Sequence, residues 1–140
     1  MVTFVESLLD GKPMEIHGDG RQTRSFTYVS DTVDGIVRAL ETPEARGEII
    51  NVGGSESITI LELAEIVQSE LGIPPPLRAT LIPYEDLPGK YQDVRHRVAD
   101  PIKARDLLGF EAKVTLAEGL AATLEWHQKL RLEEREAVLA

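Results

Sequence analysis

Apolar residues recur at Val2, Val5, Leu8 and Leu9 with helical spacing, and Gly11 followed by Pro13 ends the pattern. The only capping group available before it is the terminus itself, so the helix reads as cut into rather than begun. Met14 to His17 is a short strand, and Gly18-Asp19-Gly20 signals a turn. Arg24 to Val29 alternates, with Phe26 and Tyr28 on one face and Ser25, Thr27 and Val29 on the other. Ser30 is a suitable N-cap for a helix with Asp31 and Asp34 in its first turn and a buried stripe of Val33, Ile36, Val37 and Leu40.

Further along, Glu48 to Val52 reads as a buried strand ending at Gly53-Gly54. Thr59 and Glu62 form a capping box for a helix whose apolar face is Leu63, Ile66, Val67 and Leu71, closed by Gly72. After Pro74-Pro75-Pro76, Leu77 to Ile82 is a strand candidate and Pro83 to Arg97 is loop-like. Asp100-Pro101 opens a short helix ended by Gly109, and a second capping box, Thr115 with Glu118, opens the last one through Leu116, Leu120 and Leu124. From Gln128 the sequence is mostly charged, which predicts a helical tail over 128–140 beside a folded unit over 1–127. No internal repeat is evident. The order of elements predicts a mixed α/β or α+β fold.

Composition narrows the partners. At 140 residues, 42% hydrophobic and 28% charged, the chain has a one-domain length and an ordinary globular composition. It has no cysteine, which removes disulfides, thiolate chemistry and cysteine-bound metal. A net charge of −9, from 24 acidic against 15 basic residues, repels nucleic acid and anionic membranes, yet leaves room for one diphosphate held by converging basic side chains. Glu6 and Asp10 interrupt what a signal peptide would need, and no run approaches a membrane span; the chain reads as cytoplasmic.

Gly18-x-Gly20 fails as a dinucleotide fingerprint, because Thr23 stands where the third small residue belongs and a strand pattern, not a helix, follows. Two readings of Arg24 stay open on residues alone: an ion pair with Asp19 or Asp31, or a planar fork for a phosphate. Asp31 and Asp34 most simply serve the helix dipole, Asp100 is a cap, and Phe110 and Trp126 belong to the core. His17, His96 and His127 have no metal-ligand spacing.

The stretch GDGRQTRSFTYVSD from Gly18, together with GKYQDVRHRVADPIKARDLLGF from Gly89, resembles the later part of extended short-chain dehydrogenases/reductases, the NAD-dependent sugar-nucleotide epimerases, dehydratases and decarboxylases. Its wording leans toward UDP-glucuronate decarboxylase and dTDP-glucose dehydratase relatives. The resemblance implies an α/β, C-terminal substrate-binding part of an extended Rossmann-type epimerase without the N-terminal dinucleotide-binding sheet. It also implies a role in holding a UDP- or dTDP-sugar, with Arg24 and Lys90 on the diphosphate, Asp93 facing the nucleoside, and Phe26 and Arg97 as further substrate contacts. Lys90 departs from the family's arginine, and Tyr91-Gln92 from its usual Pro-Gly. Catalysis in the family uses a tyrosine with a lysine four residues on; here Thr32, Pro88 and Arg95 follow Tyr28, Tyr84 and Tyr91 at that spacing. The expectation is therefore no catalytic residue, cofactor site or metal on this chain, NAD belonging to the complete enzyme, and no activity alone. The alternative is a non-catalytic interaction module, or a split subunit that pairs with a separate NAD-binding chain, since an apolar strand at Ile49 to Val52 wants neighbours on both sides.

Overall fold

The structure is a computed structural model that describes residues 1–89 and 93–139, with only the backbone for 132–139. Helix α1 (Val2–Leu9) leads into β1 (Met14–His17), then β2 (Thr23–Ser25) and α2 (Val29–Glu41). β3 (Ser57–Thr59) runs straight into α3 (Ile60–Glu70), followed by β4 (Ala79–Ile82), β5 (His96–Arg97), α4 (Ile102–Leu108) and α5 (Leu116–Leu139). β1 pairs in parallel with β4, and β2 sits between antiparallel β3 and parallel β5. This is the mixed α/β architecture that the element order predicts.

The main core joins Phe4, Val5 and Leu8 of α1, Met14 and Ile16 of β1, Leu63 and Val67 of α3, and Leu120 and Leu124 of α5. The helical period of α1 and α3 and the two-residue period of β1 therefore converge on one layer. A second cluster, Ala104, Leu108 and Phe110, packs against Val52 and Ala39. Gly35 makes that approach possible: a Cβ there would come within 2.3 Å of the Val52 side chain.

Both capping boxes form. Thr59 Oγ1 accepts from Glu62 N–H at 3.1 Å while Glu62 accepts from Thr59 N–H at 2.8 Å, and Thr115 and Glu118 repeat the exchange. Bonds from the threonine's backbone and hydroxyl hold both carboxyls below the usual range, Thr59 acting on Glu62 and Thr115 on Glu118. A depressed folded-state value contributes stability above the unfolded value that is lost as pH falls through the folded one. The urea midpoint should thus hold steady near neutrality and decline below about pH 4. A Glu62→Gln/Glu118→Gln variant should show a shallower decline, and an identical pH profile would refute the assignment.

Several predicted elements differ. The strand expected over Arg24 to Val29 stops at Ser25, because the β3 ladder ends at the Ser25–Ser57 pair and the β5 ladder one residue earlier at Arg24–Arg97, and Val29 already belongs to α2. Tyr28, not Ser30, is the N-cap. Val33, Ile36, Val37 and Leu40 are exposed instead of buried; α2 turns Asp31 and Gly35 inward, and its apolar stripe faces outward with Leu40 82% accessible. Glu48 to Val52 pairs with no strand among the described residues, and Ile49 is 88% accessible. Pro101 is the N-cap of α4, although Asp100 still accepts the Ile102 N–H at 3.0 Å. Phe110 is core, but Trp126 is exposed and meets the buried His127 edge-on at 5.2 Å.

Candidate functional site

Gly18 and Gly20 both have φ near +71°, the left-handed region that glycine reaches without a steric penalty, and they reverse the chain between β1 and β2. Asp19 closes the turn by accepting the Arg21 N–H at 3.0 Å, and it pairs with Arg95 at 2.8 Å. The Arg95 guanidinium first, and the Arg21 N–H second, hold its carboxyl below the ordinary range. Behind the turn Gln22 is buried; its Nε2 donates to the His17 carbonyl at 2.9 Å, while its Oε1 is enclosed with no donor among the described residues. β2 then carries Arg24 outward, and β5 brings the loop from Asp93 alongside through Thr23 N–H to Arg95 O at 2.8 Å and Thr23 Oγ1 to His96 Nδ1 at 3.0 Å.

Arg24 is held on three bonds. Nη1 donates to the carbonyls of Thr23 at 2.7 Å and Val94 at 2.8 Å, and Nη2 donates to Asp93 Oδ1 at 2.5 Å. The Asp93 side chain is only 8% accessible, and its other oxygen accepts from the Tyr84 hydroxyl at 2.9 Å. A guanidinium has five N–H donors in a rigid plane, so two of them, the Nε–H and one on Nη2, remain after these three bonds. Such donors are the kind that take the oxygens of a phosphate or carboxylate. Arg24 and Asp93 line a cleft of about 340 Å³ with Ser7, Glu15, His17 and Gln22. A cation fixed on its own carboxylate and aimed into a partly walled space suits an anion carrying a polar, hydrogen-bonding body.

Of the residues expected at the site, Arg24 and Asp93 come together; neither the Asp19 nor the Asp31 partner considered for Arg24 is used. Asp31 is buried and accepts the backbone N–H groups of Lys113 and Val114, each at 2.9 Å, tying α2 to the start of α5. Arg97 is the register neighbour of Arg24 but does not line the cleft. Phe26 lies between two other hollows, beside Gly54–Ile58 and the start of α5. Lys90 lies outside the described residues. A hollow of about 510 Å³ beside α4 is larger, but Glu44, Glu48, Asp100 and Asp106 line it with Lys103, a set that repels phosphate. Sequence reasoning missed Gln22 and Tyr84. Gln22 stands inside the opening motif, whereas nothing in the sequence ties Tyr84 to Asp93.

The Gly18–Gly20 turn does not fit a dinucleotide pyrophosphate. A strand follows it, and the Tyr84 ring occupies the space a Cβ on Gly18 would take. Among the described residues no group of three or more His, Asp or Glu could hold a metal, and no helix is long and apolar enough to cross a membrane.

Residues 1–123 match the family model described as GDP-mannose 4,6 dehydratase. UDP-glucuronic acid decarboxylase 4 of Arabidopsis thaliana is 40% identical over 120 residues, covering 84% of this chain and 24% of that protein. A UDP-glucuronic acid 4-epimerase of Bacillus cereus, solved in complex with UDP-glucuronic acid and NAD, superposes with a TM-score of 0.78 at 35% identity, over 91% of this chain and 39% of the epimerase. A dTDP-glucose 4,6-dehydratase of Streptomyces venezuelae with NAD bound gives a TM-score of 0.79 at 31% identity, over 91% of this chain and 38% of the dehydratase. The chain thus spans less than half the length of the proteins it matches.

Proposed function

Because this chain belongs to the GDP-mannose 4,6 dehydratase family of extended short-chain dehydrogenases/reductases, we propose that it holds the nucleoside diphosphate of a UDP- or dTDP-sugar in the Arg24–Asp93 cleft. One observation carries the reading: the Arg24 guanidinium is anchored on a nearly buried carboxylate with its Nε–H and one Nη2 donor left for an anion. Lys90 and Arg97 are the further basic candidates for the diphosphate, and Asp93 serves first as the anchor of Arg24, with any nucleoside contact made from that position. The solved epimerase holds UDP-glucuronic acid and NAD, which supports a nucleotide-sugar substrate and NAD as the cofactor of the complete enzyme. Oxidation at the sugar C4 would then use groups that this cleft does not supply. Titration calorimetry of the chain with UDP and with dTDP is expected to show saturable binding of at least one. No heat with either nucleotide would reject the reading.

A second reading joins the first: the outer face of α2 and the unpaired stretch at Ile49 dock a cofactor-binding chain or domain. Val33, Ile36 and Leu40 expose one apolar face of α2 that soluble monomers rarely leave open, and Ile49, in an extended stretch that pairs with no strand among the described residues, is exposed as well. The occupant with matching chemistry is the edge of a parallel α/β sheet with its covering helix. Co-expression with the portion of the Bacillus cereus epimerase that this chain does not span should yield a complex. Ile36→Lys/Leu40→Lys should abolish it, and co-purification unaffected by those charges would count against this surface.

A further inference from the structure

We propose that Tyr84 is a positioning residue for Arg24, acting through Asp93; the inference rests on the nucleotide-binding reading and adds to it the group that sets the arginine's orientation. Both carboxylate oxygens of Asp93 are committed to different partners, Oδ1 to Arg24 Nη2 at 2.5 Å and Oδ2 to the Tyr84 hydroxyl at 2.9 Å. One bond alone would leave the carboxylate free to rotate about its Cβ–Cγ axis. Two bonds from separate elements fix its plane, and with it the plane of the guanidinium.

Tyr84 reaches Asp93 by a route that the sheet dictates. The parallel β1–β4 pair ends with Gly18 N–H donating to Ile82 O at 2.7 Å, and the chain then turns through Pro83 into a short 3₁₀ segment, Tyr84–Asp86. This lays the phenol ring directly over Gly18, where an added Cβ would sit 2.4 Å from the ring Cζ and 2.6 Å from the hydroxyl oxygen. Gly18 is thus required twice, for its positive φ and for the space the ring fills. The series Gly18, Tyr84, Asp93, Arg24 runs as three contacts in a row, from the turn to the cleft. The bonds from Arg24 Nη1 to Thr23 O and Val94 O keep the side chain in place if the series is cut, so the loss should fall on orientation and not on presence.

The test uses the full chain with two readouts, the side-chain ¹H–¹⁵N signals of Arg24 and titrations with UDP and with uridine. Wild type should give resolved Arg24 Nη signals. Tyr84→Phe, which removes only the hydroxyl, should broaden them and weaken UDP binding roughly 3- to 10-fold while weakening uridine binding clearly less. Gly18→Ala should produce the same broadening, and adding Tyr84→Phe to it should change the Arg24 signals no further, because both act on one contact. Wild-type Arg24 signals in Tyr84→Phe, or equal weakening of UDP and uridine, would overturn the positioning role. If wild type binds no UDP, the nucleotide reading fails by itself, and the guanidinium signals still decide the role of Tyr84.

Discussion

Replacement of Arg24 by alanine is expected to weaken UDP binding on the order of 100-fold, since a charge-assisted hydrogen bond from a guanidinium to phosphate contributes about 1.5–3 kcal/mol where water is excluded. The same change strips the cation from Asp93, whose side chain is 8% accessible, so the fold should also lose about 3 kcal/mol. Those two effects must be separated. Arg24→Lys keeps a positive charge near Asp93 but cannot reproduce the fork or the paired bonds to Thr23 O and Val94 O. It should therefore melt within a few degrees of wild type and still bind UDP about tenfold more weakly. Calorimetric titration alongside thermal melts reads both quantities. UDP affinity unchanged in both variants would remove Arg24 from the site.

The largest stability effect outside the cleft is expected at Asp31. Its Oδ2 accepts two backbone N–H groups, from Lys113 and Val114, and the residue is 7% accessible. Asp31→Ala leaves both donors without an acceptor, at about 1–3 kcal/mol each, so urea unfolding should report a loss of about 2–6 kcal/mol. Against a total of about 5–15 kcal/mol for an ordinary domain, that is a large share. Asp31→Asn retains an oxygen of the same shape and should cost about 1 kcal/mol. An alanine variant as stable as the asparagine variant would show that the two N–H groups find water instead.

These two residues also mark where the sequence is legible and where it is not. Local rules carry α1, α3 and the start of α5, because apolar period and capping box act within a few residues of each other. They carry the glycine turn before β2 for the same reason. Arg24 and Asp93 can each be picked out by motif, but their pairing spans 69 residues and depends on β5 lying against β2. Asp31 reads as a helix-dipole acid because its true partners are backbone groups more than eighty residues on, which no side-chain pattern reveals. The stripe Val33, Ile36, Val37, Leu40 shows a different limit. Periodicity establishes that one face of α2 is apolar; it does not establish that this chain covers that face. Ile49 to Val52 fails as a strand on the same ground, since a ladder needs a neighbour and none pairs with it among the described residues.

The two parallel strand pairs bear on the order of events when the chain folds. α1, α3 and the capping boxes close within a dozen residues and can form in microseconds, whereas β5 meets β2 only after a loop of 73 residues has been brought round. The Arg24–Asp93 cleft is assembled by that late docking. In a stopped-flow refolding experiment helix content should recover first, and the capacity to bind UDP should return with the slowest phase. Affinity for the nucleotide thereby becomes a clock for the completion of the fold.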